Sequence, residues 1–117
     1  TADFLSTKYY ELNKKYFGDN VIVDEEIKYE WSRIPHFYYN FYVYQYATGY
    51  SAAIALSRKI LNEGQPAIDA YLDFLSKGGS EYSIDLLKGA GVDMSAAEPI
   101  ENAMQLFKEL LDEFETL

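Results

Sequence analysis

Residues 34–50, which read IPHFYYNFYVYQYATGY, decide how the rest of the chain is interpreted. They include the only histidine of the 117-residue chain and six of its twelve tyrosines. Pro35 suits the first turn of a helix, because its φ is already helical and it has no N–H group to leave unpaired. We predict a helix from Pro35 to Gly64. Turning about 100° per residue, it places five polar aromatic side chains within an arc of about 120°: His36, Tyr39, Tyr42, Tyr46 and Tyr50.

The hydroxyl groups along this arc indicate a functional surface. A buried hydroxyl without a hydrogen-bond partner costs about 1–3 kcal/mol, so a helix that served only packing would carry leucine or phenylalanine there. We therefore interpret the arc as one wall of a solvated cleft. His36, Tyr39 and Tyr42 recur every three residues, and an imidazole with two phenols can hydrogen-bond a peptide backbone or a developing oxyanion. From the residues alone, a histidine satisfied within an aromatic core stays an open alternative.

Charge and composition argue against several classes of partner. The formal net charge is −9, from 19 acidic and 10 basic residues. This charge disfavours nucleic acids and anionic membranes, because both are themselves negative. There is no cysteine, so disulfides and thiolate metal sites are excluded, and we expect a reducing, cytoplasmic location. No apolar run approaches the roughly 20 residues of a membrane span.

The rest of the chain has helical rather than strand periodicity. Residues 2–17 carry apolar side chains at helical spacing, and a second helix is expected to end before Pro35. Pro66 and Pro99 begin two later helices, and Ser80 is expected to cap a short helix between them. No stretch alternates apolar and polar residues over the length of a strand. We predict one all-α unit of about six helices that includes all 117 residues.

Motifs for hydrolysis and metal binding are absent from the sequence. The zinc-binding motif H-E-x-x-H does not occur, and neither does a glycine-rich phosphate loop or the G-x-S-x-G turn of serine hydrolases. A single histidine does not build a histidine-based metal site by itself. We therefore expect no metal site among these residues and no hydrolytic activity from this chain alone.

Two tyrosine-rich runs are distinctive: YYELNKKYFG at residues 9–18 and IPHFYYNFYVYQYATG at residues 34–49. Together with SAAIALS at residues 51–57 and the later GGS and PIE segments, they resemble the C-terminal part of oligoendopeptidase F enzymes. These enzymes are zinc metallopeptidases of the thimet oligopeptidase family. The resemblance covers nearly all of the chain.

The resemblance implies that the chain is the C-terminal portion of a mostly helical catalytic domain that hydrolyses short peptides. It implies a zinc ion held by H-E-x-x-H and a downstream glutamate outside this chain, so zinc is expected as a cofactor of the intact parent only. By the family pattern, His36, Tyr39 and Tyr42 are catalytic residues that bind the substrate and the tetrahedral intermediate. Tyr46 and Tyr50 are expected to bind the substrate.

The competing hypothesis is a non-catalytic helical module whose tyrosines bind a peptide or a protein. An H-E-x-x-H motif upstream in the parent reading frame would distinguish the two functions. The predicted aromatic helix also has more apolar sides than its neighbours can cover. We therefore expect the isolated chain to self-associate through uncovered apolar surface.

Overall fold

The computed structural model describes residues 1–117 as helices joined by turns, without a β-strand. Two 3₁₀ helices, Glu25–Arg33 and Pro35–Tyr38, follow the first α-helix in the sequence. With five α-helices, two 3₁₀ helices and no strand, the chain confirms the all-α prediction. None of the helices combines the length and the hydropathy of a membrane span. The α-helices are α1 (Ala2–Phe17), α2 (Tyr44–Glu63), α3 (Gln65–Lys77), α4 (Ser83–Gly89) and α5 (Glu98–Phe114).

The chain divides into two compact units, of which Thr1–Val43 is the first. In this unit α1 packs against the 3₁₀ helix Glu25–Arg33. The Trp31 indole N–H donates a hydrogen bond of 3.1 Å to the hydroxyl of Ser6, the only buried residue of α1. The Tyr10 hydroxyl donates to the Val23 carbonyl over 3.3 Å. These two hydrogen bonds attach the 3₁₀ helix and the segment before it to α1.

The 3₁₀ form of Glu25–Arg33 matches the charge pattern of its sequence. In a 3₁₀ helix, side chains three residues apart lie directly above one another. Two ion pairs have this spacing, Lys28 with Glu25 at 3.4 Å and Arg33 with Glu30. The sequence predicted a helix here, and the structure adds that it has three residues per turn.

The second unit, Tyr44–Leu117, is built around α2, which packs against α3 and α5. Small side chains let these helices approach closely, since Ser51 and Ala52 of α2 and Ala103 of α5 are all buried. The central apolar cluster contains Leu56, Ala90 and Val92. Partly buried Ala55, Tyr71, Phe74, Leu87 and Met94 pack around it.

One local expectation for this unit, the capping role of Ser80, is corrected by the structure. Ser80 does not cap the short helix, because α4 begins at Ser83 with Tyr82 in the N-cap position. Residues 78–79 instead form a turn, and residues 80–81 form a bend. Gly49 lies within α2, and a Cβ atom added there would meet nothing within 4 Å. It is therefore not a point of close helix packing.

Candidate functional site

The site begins at a short 3₁₀ helix, Pro35–Tyr38, which carries His36. Ile34 is extended, with φ −92° and ψ 103°, as the steric restriction on a residue before proline requires. The Tyr38 hydroxyl donates a 2.8 Å hydrogen bond to the Ser32 carbonyl. The Phe37 ring meets Tyr9 of α1 edge-on, with centroids 6.3 Å apart. Two side chains of the short helix are thus attached to the rest of the first unit.

The structure contradicts the prediction of one continuous aromatic helix from Pro35. The 3₁₀ helix ends at Tyr38, and α2 begins only at Tyr44. Between them, Phe41 has a φ of +56°, which no α-helix accommodates. The helical interpretation failed because proline favours only a first turn, whereas the aromatic residues that follow have weak helix propensity. His36, Tyr39 and Tyr42 therefore do not share an edge of one helix.

The three residues are nevertheless in contact, through a turn instead of a helix face. The Tyr42 N–H donates to the Tyr39 carbonyl over 3.2 Å. The Tyr42 ring stacks on the His36 imidazole, with centroids 5.6 Å apart and planes inclined by 29°. It also meets the Tyr39 ring edge-on at 5.9 Å. Tyr42 is thus the centre of a cluster that holds one imidazole and two phenols, which we call the His36 cluster.

The His36 cluster is open to solvent in this chain. Tyr39 is 60% exposed and Tyr42 is 38% exposed. Phenol hydroxyls and an imidazole N–H are hydrogen-bond donors, and ring contacts limit the directions in which these donors can point. Such an arrangement can hold a peptide carbonyl or a negatively charged oxygen.

The chain matches the model of peptidase family M3 over residues 1–106. This chain belongs to peptidase family M3. It is 65% identical over all 117 residues to oligopeptidase PepF of Bacillus subtilis, of which it covers 18%. It is 45% identical over the same length to the chromosomal oligoendopeptidase F of Lactococcus lactis subsp. cremoris, of which it covers 19%.

A solved relative agrees with the sequence matches of this family M3 chain. The crystal structure of oligoendopeptidase-F from Enterococcus faecium is similar at a TM-score of 0.89 and 52% sequence identity. The match covers 99% of this chain and 22% of that one. The chain therefore spans about a fifth of the length of the relatives it matches.

Tyr46 and Tyr50, the two tyrosines predicted to bind substrate, lie one turn apart near the start of α2 in the second unit. Tyr50 lines an apolar groove of about 250 Å³ between α2 and α5. The opposite wall of this groove comes from α5 and includes Ile100, Met104, Phe107 and Leu110. In this unit, Tyr50 thus contributes to an apolar surface.

No three histidine, aspartate or glutamate side chains of the chain are grouped so that they could hold a metal ion. His36 is the only histidine, and its ring stacks on the phenol ring of Tyr42. The sequence resemblance places the zinc ligands outside this chain. No step of a reaction is therefore derived through a metal held by this chain.

The turn that builds the His36 cluster was not predicted from the sequence. The signal for it was Asn40, because asparagine is common in turns and weak in helices. The helical wheel placed His36, Tyr39 and Tyr42 together, as the structure does, but it did so through a helix that the structure does not contain. Phe37 and Tyr38, which attach the short helix to its surroundings, carried no signal that separated them from the other aromatic residues.

Proposed function

We propose that this chain is a segment of a zinc-dependent oligoendopeptidase that hydrolyses short peptides. Its membership of peptidase family M3 and its similarity to oligoendopeptidase F support this proposal. The zinc ligands then lie outside these residues, in the rest of the longer protein, and the chain alone is expected to be inactive. The C-terminal position in the parent and a cytoplasmic location stay predictions from the sequence.

The contribution of this segment is the His36 cluster, which binds the substrate and the transition state. The observation that carries this proposal is the contact of His36 and Tyr39 with the same ring, that of Tyr42. Attack on a peptide carbonyl turns its oxygen into an oxyanion, and donors held in place beforehand stabilise this charge without reorganising. Tyr39 and Tyr42 donate through their hydroxyls and His36 through a ring N–H. An interaction that strengthens in the transition state raises kcat.

The test is removal of single hydroxyls in the longer protein. Tyr42→Phe keeps the ring that contacts His36 and Tyr39 and deletes only the donor. Loss of one oxyanion donor lowers kcat by about 10²–10³, so we expect Tyr42→Phe and Tyr39→Phe each to lower kcat by at least about tenfold with little change in melting temperature. Steady-state kinetics on a short fluorogenic peptide measure the effect.

Tyr82→Phe is the matched control, because Tyr82 is 84% exposed and lies outside the cluster. This variant should keep the kcat and the KM of the unmodified enzyme. A rise in KM with kcat unchanged would indicate that the hydroxyls bind only the ground state. Full turnover in both Tyr39→Phe and Tyr42→Phe, with a loss in Tyr46→Phe, would transfer the role to Tyr46.

We also propose that the isolated chain self-associates through the apolar face of α5. Met104, Phe107 and Phe114 of α5 are each more than half exposed. An apolar stripe of this kind is typical of an interface.

Light scattering over a concentration series tests the self-association. We expect the mean mass to rise with concentration, because uncovered apolar area is removed from water when copies meet. Leu110→Glu, in the groove between α2 and α5, should suppress this rise. Leu61→Glu is the matched control, since Leu61 is 82% exposed on α2 and does not line the groove. A monomer at every concentration would contradict the proposal.

A further inference from the structure

Phe41 is the only residue other than glycine with a positive φ. Its φ of +56° lies in the left-handed region, where the Cβ atom of an L-residue approaches the following carbonyl oxygen. Asparagine and aspartate enter this region more often than other residues, and a bulky side chain is unusual there. Residues held in sparsely populated backbone conformations are concentrated at functional sites.

The side chain of Phe41 does not explain this conformation. Its ring is 80% exposed, so burial of the ring in the first unit supplies little free energy to hold the backbone in place. An exposed position with a left-handed backbone is more commonly occupied by glycine, asparagine or aspartate, which adopt this conformation more readily than phenylalanine. The positive φ of Phe41 therefore has to be explained by the path of the backbone and not by contacts of the ring.

The backbone of Phe41 forms the turn that assembles the His36 cluster. Tyr39 to Tyr42 is a four-residue turn closed by the hydrogen bond from the Tyr42 N–H to the Tyr39 carbonyl. Phe41 occupies its third position, where a type II turn requires a positive φ. With this geometry the Tyr42 ring lies on His36 at 5.6 Å and against Tyr39 at 5.9 Å.

We infer that Phe41 is a positioning residue, whose left-handed backbone, and not its ring, holds Tyr42 against His36. The consequence for turnover rests on the proposed function of the His36 cluster. The geometric role does not, because the contact between Tyr42 and His36 can be measured without activity.

The test compares two isomeric substitutions, Phe41→Leu and Phe41→Ile. Both remove the ring and leave the same number of carbon atoms, but only isoleucine is branched at Cβ, which makes a left-handed backbone much less favourable. Phe41→Asn introduces a residue that tolerates this conformation. If the backbone matters, Phe41→Leu and Phe41→Asn keep the cluster and Phe41→Ile loses it. If the ring matters, all three variants lose it.

The spectroscopic measurement is the NMR signal of His36 in the 117-residue chain, which has no other histidine. Stacking on Tyr42 displaces the imidazole proton signals through the ring current, and Tyr42→Leu gives the position of the signals without it. We expect Phe41→Leu and Phe41→Asn to keep the displaced signals and Phe41→Ile to move them to the Tyr42→Leu position. Helix content by circular dichroism shows that each variant is folded.

The kinetic measurement uses the same substitutions in the longer enzyme. We expect Phe41→Ile to lower kcat by about tenfold or more, as loss of one transition-state donor does, with a smaller change in KM. Phe41→Asn and Phe41→Leu should stay within about twofold of the unmodified kcat, because their donors stay in place. Leu61→Ile, at an exposed position of α2 outside the apolar groove, is the control and should change neither constant.

Equal His36 signals in Phe41→Leu and Phe41→Ile would overturn the positioning role, as would a loss of the signal in Phe41→Asn. Should Phe41→Ile fail to fold, the melting temperatures of Phe41→Asn and Phe41→Leu decide. If the backbone at this position has to be left-handed, Phe41→Asn should have a higher melting temperature than Phe41→Leu. A lower melting temperature of Phe41→Asn would refute the positioning role. An unchanged kcat in Tyr42→Phe would refute the proposed function but not the positioning role of Phe41. The positions of the His36 NMR signals do not depend on turnover.

Discussion

Three glycine-to-alanine substitutions separate two reasons for a glycine in this fold: a backbone with positive φ, and a lack of room for a Cβ atom. Gly49 has helical geometry and open space around its Cα. Gly64, at the N-cap of α3, has a φ of +69° and is equally open. Gly91 has a φ of +83°, and a Cβ atom added there would lie 2.7 Å from the Cε atom of Lys59. Gly64 thus differs from Gly49 in its positive φ, and Gly91 differs from Gly64 in the crowding of its Cβ position.

The expected changes in the free energy of unfolding follow from these differences. Gly49→Ala should stabilise the chain by about 1 kcal/mol, the difference in helix propensity. Gly64→Ala should destabilise it by about 1 kcal/mol, because left-handed geometry costs alanine roughly 1–2 kcal/mol and the less flexible unfolded chain offsets part of that.

Gly91→Ala should cost about 0.5 kcal/mol more than Gly64→Ala. The additional cost is displacement of the Lys59 side chain, whose ion pair with Glu63 at 2.8 Å is partly exposed. The lysine stem is flexible, so it can move without disturbing the backbone.

Chemical denaturation followed by circular dichroism measures the three values, and 1 kcal/mol corresponds to a change in melting temperature of roughly 4 °C. A lower stability of Gly49→Ala would contradict this prediction, because it would mean that the glycine has a structural role beyond the open space around it. A loss in Gly91→Ala that exceeds the loss in Gly64→Ala by about 2 kcal/mol or more would show that Lys59 cannot move aside.

Two further predictions concern the first unit and the acid stability of the second. Trp31→Phe should lower the free energy of unfolding by about 0.5–1.5 kcal/mol, because the hydrogen bond to Ser6 is lost. A double-mutant cycle with Ser6→Ala isolates the contribution of this hydrogen bond, and a coupling energy of zero would show that the bond does not stabilise the fold. In the second unit, hydrogen bonds from the Ser95 hydroxyl and N–H, with the nearby Lys88 ammonium, hold the pKa of Asp93 below its usual range. This carboxylate therefore stabilises the fold above the ordinary carboxyl pKa of about 3.9 and loses that contribution as the pH falls through its lower folded-state value. Urea denaturation at a series of pH values should show a shallower acid decline for Asp93→Asn than for the unmodified chain, and parallel curves would refute this.

The sequence alone determined most of the helix boundaries. Residues 2–17 were predicted as a helix, and α1 has those limits. The helices expected from Pro66 and Pro99 are α3 and α5, each with its proline in the first turn. These boundaries depend on capping, on prolines and glycines, and on apolar spacing, all of which act over a few neighbouring residues.

The tertiary structure decided the geometry of the candidate site. A helical wheel assumes a backbone conformation, and at Phe41 the chain adopts another one. The short helix Pro35–Tyr38 is attached through Phe37 to Tyr9, a residue far away in the sequence. Local propensity does not include such contacts, and weak helix formers are easily overruled by them. The residues of the His36 cluster could therefore be predicted from the sequence, whereas the turn that brings Tyr42 onto His36 required the folded chain.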